Sequence, residues 1–362
     1  MRLRVLMVCQ PTTGGAATCV AQLAHAGVRA GVQVTVACPP GGRLAAWVAE
    51  AGASLAPLAM GRTPGPGDAW ALARLRRLAA GRHVVHLHSS KAGALGRLAL
   101  AALPPGRRPA CAFTPHGWSW LVGGAMAPLY RGFERWAAPL ADRIVAVSAG
   151  EAALGREVLG PQEGRLVVVE NGVDTERITP DGPSAPRRPE PLVVVAGRLC
   201  TAKGQDLAVR ALAAMSTPRA RLRLVGSGED GAGLERLARD LGVADRVELV
   251  GERDQVAPDL RAADVVLVPS RYEGLSLVLL EAMACGSAVV MAQVPGHHEL
   301  GGAGVVVPAG DHRAMAAALD RLLADEQARK ALGAAARERV VARFPLRRCT
   351  EATLELWRSL AA

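Results

Sequence analysis

Short, wholly apolar Val/Leu-rich runs alternate with longer Ala/Leu/Arg stretches along almost the entire chain. Runs apolar on both sides suit strands of a parallel sheet that is covered on both faces, and the longer stretches suit the helices that connect them. The spacing predicts strands near 3–9, 32–37, 83–88, 110–114, 142–147 and 165–169, with helices near 15–30, 69–80, 91–103, 126–140 and 149–159. The alternation breaks at Asp181-Gly182-Pro183-Ser184-Ala185-Pro186-Arg187-Arg188-Pro189-Glu190-Pro191, where four prolines rule out a continuing helix or a central strand. It then restarts, with strands near 192–196, 221–225, 246–250, 264–268, 287–291 and 304–307, and closes on helices near 311–324, 326–342 and 347–361.

The reading is therefore α/β, with two Rossmann-like, doubly wound, parallel-sheet domains. The N-terminal one spans 1–180, a linker 181–191 and the C-terminal one 192–345, with 346–362 a helix packing back on the first. A chain of 362 residues, half of them hydrophobic, is long enough for two cores. Open sheets of this kind bind ligands outside the carboxyl ends of their strands, so functional residues are expected just after strands.

Composition excludes several classes. The seven cysteines form no C-x-x-C pair, which argues against a disulfide framework or a zinc site and for a reducing compartment. The apolar run after Arg4 stops at Gln10-Pro11, too short for a signal peptide, and no apolar stretch reaches the roughly 20 residues of a membrane helix. Residues 1–175 carry 18 Lys/Arg against 9 Asp/Glu, a net +9, whereas 176–362 carry 25 against 24, a net +1. A basic first half suggests an anionic partner. Without interleaved aromatics that partner is not nucleic acid. An Arg-rich proteome gives the same count with no partner at all.

Three segments carry chemistry. In Glu273-Gly274-Leu275-Ser276…Glu281, two carboxylates flank the first turn of a helix whose N-terminus favours an anion, an arrangement suited to the hydroxyls of two sugars. In Gly197-Arg198-Leu199-Cys200-Thr201-Ala202-Lys203-Gly204, two cations bracket a turn and suit a diphosphate. Gly226-Ser227-Gly228-Glu229-Asp230-Gly231 matches G-x-G-x-x-G, with Asp245 and Glu248 downstream. That leaves an NAD-dependent oxidoreductase as an alternative, although the first strand's turn, Gln10 to Gly15, lacks the fingerprint. No D-x-D, H-E-x-x-H or P-loop motif occurs, so no metal is expected at the diphosphate. His116, between Pro115 and Gly117 at a strand end, is a candidate site residue. His86 and His88 share a strand face in a run that reads as buried rather than metal-binding. Gly14-Gly15 opens the first helix, where backbone can approach a phosphate or sugar.

Gly14-Gly15, His88-Ser89-Ser90-Lys91-Ala92-Gly93, His116-Gly117, Glu170-Asn171-Gly172-Val173-Asp174, Arg198…Lys203-Gly204 and Glu273…Glu281 occur in this order. Together they resemble glycosyltransferase family 4, the retaining enzymes of GT-B fold, over essentially the whole chain. The resemblance implies a cleft between the domains that binds a nucleotide-diphosphate sugar, a UDP-sugar above others. Arg198 and Lys203 would neutralise the diphosphate in place of a metal, and Glu281 would hold the ribose. Glu273 would hold the transferred sugar, beside the backbone N–H groups of Gly274, Leu275 and Ser276. His116 would lie near the anomeric centre, while Gly14, Gly15 and Asn171 would line the nucleotide-sugar site and Gly251 to Arg253 would face the base. The segment from His88 looks like members that build lipid-linked or exported polysaccharide. Those work in the cytoplasm at the inner membrane face, on sugar or lipid-linked acceptors. A soluble natural-product acceptor is the competing reading.

Overall fold

The computed structural model describes residues 2–161, 164–187 and 189–362. Two compact units form, one from Met1–Asn171 with Arg348–Ala362, the other from Gly172–Arg347. In unit 1, β1 (Arg4–Cys9), α1 (Gly14–Arg29), β2 (Gln33–Cys38), α2 (Arg43–Glu50), β3 (Ser54–Pro57), α3 (Gly67–Ala79) and β4 (Val84–His88) come first. They are followed by α4 (Ser90–Ala101), β5 (Ala110–Thr114), α5 (Ala127–Ala137), β6 (Arg143–Ala146), α6 (Ala149–Leu159) and β7 (Leu166–Val168). Among the described residues these strands pair, all parallel, in the order β3-β2-β1-β4-β5-β6-β7.

Strand periodicity divides the core of unit 1 into two layers. Val5, Met7 and Cys9 join Ala17, Val20, Leu44 and Trp357 on one face, while Leu6 and Val8 join Leu75, Leu95, Phe113 and Trp118 on the other. α2 and β3 are not anticipated from sequence. α2 buries only Leu44 and Val48, and β3 is a four-residue edge strand with mostly exposed side chains that ends in proline. A sheet edge is where a strand proline is tolerated.

Unit 2 runs β8 (Leu192–Ala196), α7 (Gln205–Ala214), β9 (Arg221–Val225), α8 (Gly231–Asp240), β10 (Val247–Gly251), α9 (Ala257–Ala262) and β11 (Val265–Val268). It continues with α10 (Leu277–Ala284), β12 (Val289–Ala292), β13 (Val305–Val307), α11 (His312–Ala324) and α12 (Glu326–Arg343); the chain's last helix, α13 (Leu346–Ala361), falls in unit 1 from Arg348 onward. The strand order is β10-β9-β8-β11-β12-β13, again all parallel. Both orders are those of a doubly wound sheet.

The proline-rich segment is not a separate linker; the chain passes between units at Asn171–Gly172 and at Arg347–Arg348. The segment is strapped to unit 2, because its backbone groups find partners there. Arg261 and Arg223 donate to the Pro183 and Pro186 carbonyls, at 3.1 and 2.8 Å, and Ala185 N donates to the Pro258 carbonyl at 2.8 Å. Arg188, within this segment, lies outside the described residues. The helix at the C-terminus belongs to unit 1, where Trp357 is fully buried.

One buried ion pair joins α4 to α5. Arg97 donates to Glu134 at 2.7 Å and to the Gly93 carbonyl at 2.9 Å, and its guanidinium lies 4.2 Å from the Phe113 ring centre. Breaking such a pair leaves an uncompensated charge. Glu134→Ala is therefore expected to cost about 3–5 kcal/mol, and the double change Arg97→Met with Glu134→Leu distinctly less. All six tryptophans (47, 70, 118, 120, 136 and 357) lie in unit 1, so denaturation followed by their emission reports that unit alone. Equal losses in the two variants would contradict this.

Candidate functional site

In unit 2 the strand order reverses between β8 and β11, and the loops leaving these two strands carry the cations and the carboxylate anticipated from sequence. Lys203 Nζ donates to Glu273 Oε1, which also accepts from Ser270 Oγ at 3.0 Å. Burial pushes the Glu273 carboxyl up. The charge and hydrogen bond of Lys203, the charge of His297 and the Ser270 bond more than offset this and hold it below its ordinary value. Glu273 is thus an anion whose charge is already partnered.

The two loops meet backbone to backbone. Gly204 has φ +70°, and a Cβ there would stand 2.2 Å from the Pro269 carbonyl oxygen, so no other residue fits. Arg271 grips Asp206 with two bonds of 2.7 Å and donates to the Thr201 and Ala202 carbonyls at 2.8 and 2.9 Å. Arg198 lies in the same loop as Lys203, 3.9 Å from Glu229, with its carbonyl accepting from Gln205 at 3.0 Å.

The glycine-rich turn after β9 is used differently from a dinucleotide fingerprint. Cβ atoms at Gly226 and Gly228 would lie 2.1 and 2.2 Å from the Gly197 and Leu199 carbonyl oxygens. These glycines permit close packing on the Arg198 loop, reinforced by Leu199 N donating to the Ser227 carbonyl at 2.9 Å. That role accounts for the motif without a nicotinamide cofactor.

Glu281 lies one turn into α10, partly buried, and burial pushes its carboxyl up to about 7. Gly274, Leu275 and Ser276 bridge Glu273 to α10. Gly296, beyond β12, packs so tightly there that a Cβ would lie 1.8 Å from the Gly274 carbonyl oxygen. Gly251, with φ +74°, ends β10 and accepts from Gly226 N at 2.8 Å, and Arg253 is exposed, 3.8 Å from Asp259.

In unit 1, His116 follows β5 with φ +53°, a conformation rare outside glycine. Glu151 pins this turn by accepting from Gly117 N at 2.6 Å and Val147 N at 2.7 Å, and its carbonyl accepts from Trp118 Nε1 at 2.8 Å. Gly14, φ +77°, and Gly15 open α1 and are exposed. Asn171 is buried, with Oδ1 accepting from Cys19 Sγ at 3.4 Å. Sequence reasoning missed Ser270, Arg271, Asp206, His297, Glu151 and the contact made by His88. His297 and Ser270 share the signal that marked the others, a place just beyond a strand's carboxyl end.

The family model for "Glycosyltransferase Family 4" matches residues 13–177, and that for "Glycosyl transferases group 1" matches 181–339. The GDP-mannose-dependent alpha-(1-6)-phosphatidylinositol monomannoside mannosyltransferase of Mycolicibacterium smegmatis is 35% identical over 287 residues, 73% of this chain and 74% of the relative. The D-inositol 3-phosphate glycosyltransferase of Saccharomonospora viridis is 37% identical over 247 residues, 61% of this chain but 56% of the relative. The crystal structure of Anabaena HepE with UDP and glucose superposes with a TM-score of 0.82 at 21% identity, covering 99% of this chain and all of the other. A sucrose-phosphate synthase from Thermosynechococcus elongatus also reaches 0.82, at 25% identity and 99% of each chain. The chain belongs to glycosyltransferase family 4, and its fold is GT-B.

Because the Glu281 carboxyl is raised, the folded protein keeps a proton that the unfolded chain loses. Stability from this group is full below the unfolded value and is lost as pH rises from about 5 through 7. Glu281→Gln is expected to flatten that loss. Calorimetric melting across the range checks it, and a variant with the slope of the parent protein would refute it.

Proposed function

We propose that this glycosyltransferase transfers a hexose from a nucleotide diphosphate, UDP above others, with retention and without a divalent metal. The acceptor is a sugar or lipid-linked glycan in cell-envelope or exported polysaccharide synthesis. The observation that carries this reading is the pairing of Lys203 with Glu273 at the β8/β11 switch point, with Arg198 on the same loop as Lys203. Two cations there can neutralise a diphosphate, the task a metal performs elsewhere. Glu273, held ionised, accepts bonds from sugar hydroxyls, and Glu281 from ribose hydroxyls. The solved relative holding UDP and glucose supports a uridine donor, and the GDP-mannose-dependent relative names the competitor.

In this reading the bond from the anomeric carbon to the β-phosphate oxygen breaks. The acceptor oxygen bonds to the same face of that carbon, and its proton passes to the leaving phosphate. His116 lies near the anomeric centre. Stabilising the charge that develops on the diphosphate lowers the barrier. Lys203→Ala and Arg198→Ala should each lower kcat by roughly 10²–10³-fold, the range for a lost donor to developing charge. Release of UDP from UDP-glucose, and of GDP from GDP-mannose, measured in EDTA, checks both points. Activity abolished by EDTA and restored by manganese would overturn metal independence, and near-normal turnover in the variants would overturn the roles of the cations.

The acceptor reading places the enzyme at the inner membrane face. No helix among the described residues is long and apolar enough to cross a membrane. A surface for peripheral docking is offered by α5 and the turn before it. Val122, Met126, Leu129 and Trp136 are 67, 48, 62 and 60% exposed, beside exposed Arg131 and Arg135. Leu129 and Trp136, seven apart, share a helix face. The basic residues in and just after α3 contribute less than the sequence suggests, since Arg76 donates to the Ala102 carbonyl and Arg82 to Thr35. Binding to phosphatidylglycerol-containing vesicles at low salt, weakened by salt and by Leu129→Ser with Trp136→Ser, is expected in co-sedimentation. Binding indifferent to lipid charge would favour a soluble acceptor.

A further inference from the structure

The carboxyl ends of β4 and β5 bring His86, His88 and His116 into one stack. The His86 and His88 ring centres are 4.1 Å apart, and those of His88 and His116 are 5.3 Å apart. Trp357 of α13 donates its indole N–H to His86 Nδ1 at 3.1 Å. An indole nitrogen only donates, so neutral His86 carries its proton on Nε2 and donates to Thr114 Oγ1 at 2.8 Å. His88 Nδ1 stands 3.0 Å from His116 Nε2. Burial, joined for His86 and His88 by the neighbouring imidazoles, lowers all three: His86 to about 3, His116 to about 4, and His88 well below its ordinary value. All three are therefore neutral near pH 7.

Between two neutral imidazoles one proton bridges, and the rest of the ring decides whose it is. His88 Nε2 is sealed from solvent with no hydrogen-bond partner among the described residues. If His116 were the donor, His88 would carry its own proton on Nε2, a buried N–H with no acceptor. If His88 is the donor, Nε2 is only an unfilled lone pair. Stranded buried N–H groups are the rarer and costlier of the two.

We propose that His88 is a positioning residue for His116. It donates its Nδ1 proton to His116 Nε2 and so holds His116 as the Nδ1–H tautomer, a hydrogen-bond donor toward the substrate. The catalytic part of this rests on His116 lying near the transferred sugar, as proposed above. The left-handed backbone of His116 and the grip of Glu151 on Gly117 fix the ring's approach, while His88 fixes where its proton sits. Trp357 and Thr114 set His86 in the same way, so the neutral stack is built from β4, β5 and α13.

Long-range ¹H–¹⁵N spectra of the full chain test the tautomer directly, with His116 signals assigned by their loss in His116→Gln. His116 is expected to show a protonated Nδ1 and an unprotonated Nε2. His88→Leu should let His116 move toward Nε2–H. His88→Asn, whose amide N–H can stand in for Nδ1–H, should keep the Nδ1–H form. In parallel, kcat for UDP release from UDP-glucose, or GDP release from GDP-mannose, should fall tenfold or more in His88→Leu with KM little changed. His88→Asn should recover the greater part. A wild-type His116 protonated on Nε2 would overturn the tautomer, a measurement independent of any activity. A tautomer shift in His88→Leu with kcat unchanged would overturn the positioning role while leaving the tautomer assignment standing.

Discussion

In unit 2 the backbone of the Lys203 turn lies directly on the backbone of the Pro269–Glu273 loop, with no side chain between them. Gly204 makes this approach possible, and Gly226, Gly228 and Gly296 repeat the device beside it. Close backbone packing does what a long side chain cannot, because it fixes the loops that carry Arg198, Lys203 and Glu273 without relying on rotamers. The forked Arg271–Asp206 pair then ties the loops laterally. A parallel sheet supplies the setting, since consecutive strands send their loops out at the same edge and the order reversal leaves a gap between two of them.

The two units handle charge in opposite ways. Unit 2 gathers two cations and two carboxylates around β8, β11 and α10, with Glu273 kept ionised by Lys203 and Glu281 poised near neutral pH by burial. Unit 1 places a neutral histidine stack at the equivalent edge of its sheet, where burial suppresses charge. In the proposed function the first arrangement matches an anionic donor. In the second, His86 and His88 are buried and only His116 is partly exposed, the group proposed above to meet sugar hydroxyls. The Arg97–Glu134 pair is a fully buried charge pair in unit 1, and its place between α4 and α5 marks it as scaffold.

Much of this was legible in the residue order. Apolar runs located every strand except β3, whose short, exposed Ser-Leu-Ala-Pro carries no periodic signal. The cation and carboxylate motifs were visible because each lies within one strand-to-helix segment, and local spacing records what a single loop brings together. Prolines end elements, so the proline-rich segment reads as a linker, but proline carbonyls remain acceptors, and whether guanidinium groups reach them is not a local property.

Sequence by itself thus determined the parallel α/β architecture, the family and the residues at the strand ends, since all three follow from short-range pattern. Tertiary structure alone decided which of those residues touch. Lys203 meets Glu273 across 70 residues, Arg271 meets Asp206 across 65, and Trp357 meets His86 across 271. It also assigned Gly226 and Gly228 to loop packing and left His88 Nε2 without a partner among the described residues. Hydrogen bonding and burial depend on distance in space, and helical crossovers returning successive strands to one sheet bring together residues that sequence separation keeps apart.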